Sequence, residues 1–308
     1  MTPSPLYDAF APVAVVDRSG VDESLHHGAV VVLGPDGELV FAAGDPDVAI
    51  YPRSSNKPMQ ARGMLDLGLD VDDEQLALAC ASHDGTERHV AVVRRILAAA
   101  GLGEEALGNT ASLPLQQAAM EQLLAAGGHR APILMNCSGK HAAMVATCRA
   151  RDWPVDGYLA ADHPLQQALT DRIAELAGPV LAVGVDGCGA PAHVLPLRSL
   201  ALGFRTLAAA RGRVWRAMTE HPELVAGDTR TATRVMRALP ALSAPRTSPA
   251  GAARSSARSS QGGTCRLCTA NHPPPEPSTW GAALRPSPRS RGTQGVRSRQ
   301  RPATSAPG

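Results

Sequence analysis

Lysine is nearly missing from this chain. Of its 30 lysine and arginine residues only Lys57 and Lys140 are lysine, and arginine supplies every other basic charge. Arginine keeps its proton at any usable pH, whereas a desolvated lysine can lose it. A chain so poor in lysine that keeps two, each close to serines, points to those two amines, although GC-rich coding depletes lysine as well. Long apolar runs are also lacking. No stretch of ~18 apolar residues occurs, so no membrane-spanning helix is expected. The first ten residues show no basic segment followed by an apolar one, so no secretory signal is expected. The six cysteines (Cys80, Cys137, Cys148, Cys188, Cys265, Cys268) are too few and too scattered for a disulfide framework in 308 residues. A reducing cytoplasm is the expected compartment.

What is present is unevenly distributed. The length suits one large domain or two small ones, and 44% apolar residues is ordinary for a globular chain. Residues 241–308 hold 10 arginines, 10 of the 26 prolines and a single acid, Glu276. That leaves residues 1–240 with a formal charge of −7, against +2 for the whole chain. We therefore expect a folded domain over 1–240 and a tail over 241–308. The tail has almost no apolar periodicity and too little apolar surface to offset the entropy of ordering it, so disorder is expected there. Its arginines have no interleaved aromatics for stacking bases, and no specific nucleic-acid binding is expected. The Cys265-x-x-Cys268 pair has no second half and no partnering histidine, so it is not read as a metal site.

Patterning predicts strands at 14–16 and 29–33, a turn at 34–37 and a returning strand at 39–42. A helix is predicted from Pro58 through Leu65, and a short one capped by Asp72–Glu74. Helices are also predicted over 86–100, 115–126, 142–150, 164–177, 195–210, 214–221 and 230–239. Residues 180–185 read as a short buried strand. Four polar loops sit at element ends, near 51–57, 80–86, 136–141 and 184–191, where catalytic groups usually gather.

The first loop holds Ser54 and Lys57. A Ser-x-x-Lys turn at a helix start places hydroxyl and amine one turn apart on one face. A buried lysine can then take the serine proton and create a nucleophile for acyl transfer. The pattern alone is weak, because a capping serine followed by a surface lysine looks the same. Ser82 and His83 in the second loop can extend such a relay. Cys137 and Cys188 lie in tight glycine-containing loops, with Lys140, His141 and Asp186 close by in sequence. If the loops meet, two thiolates suit zinc. Two small buried cysteines are the alternative, and a Cys137–His141 dyad is disfavoured by i,i+4 placement on one helix. His89 reads as a capping or core-edge histidine, and His163 as satisfying backbone groups at its helix start.

The segments RSSNKPMQ (53–60), CASHDGTERH (80–89), NCSGKHAAM (136–144), DHPLQ (162–166), GVDGCGAPAHVLPL (184–197) and HPELVAG (221–227) occur in this order. Together they resemble the rhizobial-type (class 3, asparaginase II family) L-asparaginases, over roughly residues 13–239. The resemblance implies an α+β fold of the serine β-lactamase and glutaminase group: an antiparallel sheet packed with helices, beside a mostly helical lobe. It implies hydrolysis of L-asparagine to L-aspartate and ammonia, with Ser54 as nucleophile, Lys57 as its activator and Ser82 as a second relay serine. It also implies zinc held by Cys137, Lys140 and Cys188, with Arg53, His141 and Asp186 as substrate contacts. A homodimer is compatible with it, though nothing in the chain shows one.

The chain also departs from the family. Members continue past the equivalent of Leu239 with a glycine-rich stretch, a further catalytic lysine and sheet-completing strands, whereas here no lysine follows Lys140. We expect the tail to be the translation of a shifted reading frame. The coding DNA tests this: neither other frame yielding a glycine- and valine-rich continuation with a lysine would refute it. Missing strands imply exposed sheet edges and impaired activity. Two alternatives stay open. One is another Ser-x-x-Lys acyl hydrolase such as a glutaminase; the β-lactam branch lacks its S-D-N and K-T-G companions here. The other is an inactive remnant that binds zinc or a ligand.

Overall fold

A computed structural model describes residues 6–238. The tail, with Cys265 and Cys268, lies outside the described residues, as do the expectations placed on it.

The chain opens with two hairpins. β1 (Ala11–Arg18) pairs antiparallel with β2 (Val21–Gly28). Ser19 and Gly20 join them at φ 55° and 85°, the two positive angles that a tight two-residue hairpin loop needs. β3 (Val30–Leu33) pairs antiparallel with β4 (Leu39–Ala43) around the expected turn, where Gly37 sits at φ 94° and its N–H donates to the Gly34 carbonyl at 3.0 Å. After β5 (Ala49–Ile50), a 3-10 turn at Arg53–Asn56 leads into α1 (Lys57–Asp66). Asp72 caps α2 (Asp73–Ala79) by accepting from the Gln75 N–H while Gln75 reaches back to the Asp72 N–H, a reciprocal capping box. α3 (Glu87–Ala99), α4 (Gln117–Ala125), α5 (Ser138–Ala150) and α6 (Pro164–Ala177) follow. Then come β6 (Ala182–Val185), β7 (Pro191–Pro196), α7 (Leu197–Ala209), α8 (Arg213–Glu220), α9 (Pro222–Val225) and α10 (Thr231–Ala238).

The class is α+β, as expected. The described strands do not form one sheet, however. They form two separate hairpins and a three-stranded antiparallel sheet of order β5-β7-β6. Three expectations need correcting. β2 was not foreseen, because Val-Asp-Glu-Ser-Leu-His-His-Gly has no alternation. Its hairpin is exposed on both faces, so nothing selects apolar residues on one of them. β7 was not foreseen, and its last two residues, Leu195 and Pro196, were read as the start of the helix expected over 195–210, whereas α7 begins at Leu197. The strand expected to be buried at 180–185 is exposed: Val185 is 82% accessible. β6 is the edge of its sheet and pairs only with β7 among the described residues.

The main core gathers around α2, where Leu76 and Leu78 are fully buried. Ile96 and Leu97 of α3, Met144 of α5, and Leu165 and Leu169 of α6 pack into the same cluster. Truncating such a leucine to alanine costs about 2–5 kcal/mol. A second cluster joins Met59 of α1, Ile173 of α6, Leu195 of β7 and Phe204 of α7. These packings hold the N-terminal ends of α1 and α5 and the β6–β7 loop in place.

Candidate active site

Three of the four polar loops meet around one cavity of about 370 Å³. Arg53, Ser54 and Lys57 come from the turn that opens α1. Asn136, Cys137 and Lys140 come from the start of α5, and Asp186 and Cys188 from the β6–β7 loop. α5 starts at Ser138, four residues before the helix expected at 142, so Lys140 and His141 stand on its first turn. Gly139 allows this. A Cβ there would lie 2.6 Å from the Leu78 carbonyl oxygen, so the backbones of α5 and α2 approach too closely for any side chain.

Arg53 precedes the candidate nucleophile with φ 51°, a left-handed conformation disfavoured for a residue with a Cβ. Such strain tends to persist where a site requires it. Its guanidinium pairs with Asp186 at 2.6 Å, closing one side of the cavity. Ser54 is half-buried on the wall. Lys57 is only 4% exposed. Burial pushes its amine from 10.5 down to about 8; the charge of Lys140 pushes the same way, and Cys137, Cys188 and Asp186 push back. Lys57 Nζ donates to the Ala81 carbonyl at 2.6 Å. Among the described residues no hydrogen bond joins Lys57 directly to Ser54 or to Ser82.

The second loop supports the site from behind. Asn136 Nδ2 donates to Ser82 Oγ at 2.9 Å, and the His83 N–H donates to the Asn136 carbonyl at 2.9 Å. His83 is fully buried. Its Nδ1 accepts from the Gly85 N–H, so its Nε2–H donates to Ser138 Oγ at 3.0 Å. Burial, with the stacked His89 beside it, holds the His83 imidazole neutral, well below its ordinary range. His89, expected as a capping or core-edge histidine, is buried and caps no backbone N–H; it joins Thr86 Oγ1 at 2.6 Å to the Glu223 carbonyl at 3.1 Å. His163 accepts from the Leu165 N–H at its own helix start.

Cys137, His141 and Cys188 bring their ligating atoms within 4.8 Å of one another, all buried, a cluster able to hold a metal ion. Lys140, expected among the ligands, has its Nζ 3.4 Å from Cys188 Sγ. His141, expected to touch substrate, is instead fully buried in this cluster. His141 Nδ1 meets the Tyr158 hydroxyl at 2.8 Å, while its buried Nε2 has no hydrogen-bond partner among the described residues. Burial first, then the Lys140 charge, lowers the His141 imidazole to about 4, so it is a neutral donor. The Cys137 thiol, followed by His141 and Lys140, holds Cys188 well below the ordinary thiol range. Cys137 moves the other way, raised by Cys188 and by burial. The pair thus favours one thiolate and one thiol, a soft donor set suited to zinc.

The sequence profile of the family described as L-asparaginase II matches residues 14–246. The chain belongs to the L-asparaginase II family. No curated protein matches it. The L-asparaginase II match spans all four loops and the segments that first carried the resemblance. Membership supports an asparaginase-type amidohydrolase function, with asparagine as the substrate that the family implies. Among the described residues no helix is long and apolar enough to cross a membrane.

Sequence reasoning missed the Ala81 carbonyl, Asn136 and Tyr158. Ala81 contributes a backbone oxygen, which no residue type announces. Tyr158 lies 17 residues beyond His141 and reaches it only through the fold.

Proposed function

We propose that this chain hydrolyses L-asparagine to L-aspartate and ammonia through an acyl-enzyme on Ser54, within a serine β-lactamase/glutaminase-like fold over residues 1–240. One observation carries the reading: a buried lysine with a lowered pKa stands one turn from a half-buried serine on the wall of a substrate-sized cavity.

Lys57, as the free amine, accepts the Ser54 proton while Oγ attacks the side-chain amide carbon of asparagine. Collapse of the tetrahedral intermediate breaks the C–N bond. The proton on Lys57 passes to the leaving nitrogen, and ammonia departs. Water then attacks the aspartyl ester, Lys57 takes its proton, and Ser54 is restored. Backbone N–H groups at the helix starts flanking the cavity stabilise the oxyanion. Arg53 and Asp186 carry opposite charges at the rim, complementary to the carboxylate and ammonium of an amino acid zwitterion. Ser82, held by Asn136 and next to Ala81, completes the relay.

The donor set fits zinc. Cys188 would supply a thiolate, Cys137 a second one once zinc binding released its proton, and Lys140 and His141 are the nitrogen donors in reach. When bound, the ion supplies a Lewis acid beside the cavity and ties the β6–β7 loop to α5. The late lysine implied by the family resemblance has no counterpart in the sequence, so the chemistry rests on Ser54, Lys57 and Ser82, and turnover is expected to be impaired.

The test is ammonia release from L-asparagine by the purified full chain, with L-glutamine and the S54A variant alongside. Asparagine turnover lost in S54A supports the reading. Preferential turnover of glutamine moves the chain to the glutaminase alternative. A folded, inactive chain that still takes up zinc identifies the binding remnant.

A further inference from the structure

A second, much smaller cavity of about 10 Å³ is lined by Lys57, Lys140, Asn56, Gln60 and His193, with the Arg53–Asp186 ion pair also on its wall. That is room for one water. Two of the lining side chains carry a buried polar atom without a partner among the described residues: Gln60 Oε1 and His193 Nδ1. Gln60 is 2% exposed and His193 1%, and buried polar atoms are almost always hydrogen-bonded.

The chemistry of both atoms is determined by their neighbours. Thr170 Oγ1 spends its single hydrogen on the Gln166 carbonyl at 2.8 Å. Its contact with His193 Nε2 at 2.9 Å therefore has Nε2–H as donor. His193 Nδ1 is left as a lone-pair acceptor, and Gln60 Oε1 is an acceptor by nature. Burial, with the Lys140 charge, lowers the His193 imidazole to about 4, which keeps that lone pair free. An occupant must donate twice within a one-water volume. An anion cannot donate at all, and a small cation would face Lys57, Lys140 and Arg53 against the one carboxylate of Asp186, which Arg53 already pairs.

We propose that this cavity is a site for one ordered water, held by Gln60 Oε1 and His193 Nδ1 and accepting a hydrogen bond from Lys57 Nζ. Because both hydrogens of the water point at fixed acceptors, its oxygen can only accept from the lysine. A neutral amine has two hydrogens and one lone pair. One hydrogen is taken by the Ala81 carbonyl and the other by the water. The lone pair is then the direction left for Ser54. Gln60 and His193 are in this sense positioning residues that aim Lys57 without touching substrate. The water site stands on the cavity and the unpaired atoms, and its effect on rate rests on the Ser-Lys reading above.

The first arm of the test is a crystal structure of the full chain at a resolution that shows ordered water. Density within hydrogen-bond reach of Gln60 Oε1, His193 Nδ1 and Lys57 Nζ is expected. An empty cavity, or Gln60 and His193 turned to other partners, overturns the proposal whether or not the protein hydrolyses asparagine. The second arm is kinetic. Q60M keeps the volume and removes the acceptor; it should lower kcat roughly tenfold to a hundredfold with KM unchanged. Q60E restores an acceptor oxygen but its charge raises the Lys57 pKa, so it should recover most of the loss only at a pH above that raised value. Equal losses in Q60M and Q60E at such a pH, or a change confined to KM, count against positioning. If Q60M does not fold, the crystallographic arm decides alone. An inactive wild-type chain with the water in place rejects the Ser-Lys function and leaves the water site standing.

Discussion

Lys57 Nζ and the Ala81 carbonyl oxygen lie 2.6 Å apart inside the protein, linking the helix that follows Ser54 to the loop that carries Ser82. The contact supplies one acceptor to an amine whose charged form is otherwise penalised by burial.

That penalty predicts how the lysine trades activity against stability. Lowering the amine from 10.5 to about 8 amounts to about 3 kcal/mol against the protonated folded state. By linkage the fold bears it in full below pH 8, and it disappears as pH rises towards the unfolded value. K57M removes the penalty but leaves the Ala81 carbonyl unpaired, at about 1–3 kcal/mol. Thermal melts at pH 7 should show K57M as stable as the parent or slightly more so, with hydrolysis abolished. A large loss of melting temperature would contradict the buried-base reading.

The same lowering gives the pH profile a sign. Lys57 accepts a proton only when neutral, so kcat/KM for asparagine should rise with pH through an apparent value of about 8. A profile flat from pH 6 to 9 would remove Lys57 as the base.

Metal uptake should depend on both loops. C188S should abolish stoichiometric zinc by elemental analysis of dialysed protein, and H141A and K140M show which nitrogen completes the set. Y158F takes away the group that orients His141. It should weaken zinc roughly 10–100-fold in competition with a chromophoric chelator while leaving the melting temperature close to that of the parent. Unchanged affinity would mean that Tyr158 does not orient a ligand.

Arg53 separates strain from binding. Glycine relieves the left-handed backbone, worth about 1 kcal/mol. It also breaks an ion pair to Asp186 in which the arginine is 60% exposed, worth about 0.2–1 kcal/mol. R53G should therefore melt within a few degrees of the parent while KM for asparagine rises at least tenfold. An unaltered KM would exclude Arg53 from substrate binding.

The exposed apolar side chains on the strands predict association. Val15 is 53% and Val185 82% accessible, and such strands are templates for intermolecular pairing. V15K and V185K should reduce light scattering on heating without lowering the melting temperature by more than a degree or two.

Much of this was legible where local chemistry decides structure. The Asp72–Glu74 cap, the Gly34–Gly37 turn and Pro58 at the start of α1 each announce an element boundary through a capping or turn preference. Ser54 with Lys57, and the two glycine-flanked cysteines, were visible because their chemistry is carried by residue type and spacing. Other features gave no local sign. β2 mixes acids, histidines and valine with no period, and β7 is too short and proline-bounded to separate from the helix after it. Burial of β6 was misjudged because Val180–Val185 is apolar, and a sequence does not reveal that its strand will sit at an edge. The Ala81 carbonyl, Tyr158 and the Gln60–His193 pair exist as partners only once distant segments are folded together.

Asp186 and Cys188 follow directly after β6, the exposed edge strand. One wall of the site therefore hangs from the least embedded strand of its sheet. Fraying of β6 and occupancy of the pocket become a single equilibrium: whatever binds Cys188 or pairs with Asp186 also anneals the strand, and whatever loosens the strand releases the ligand. Amide exchange along 182–185 should then slow in proportion to zinc or substrate saturation. The backbone of that short strand would report how full the site is.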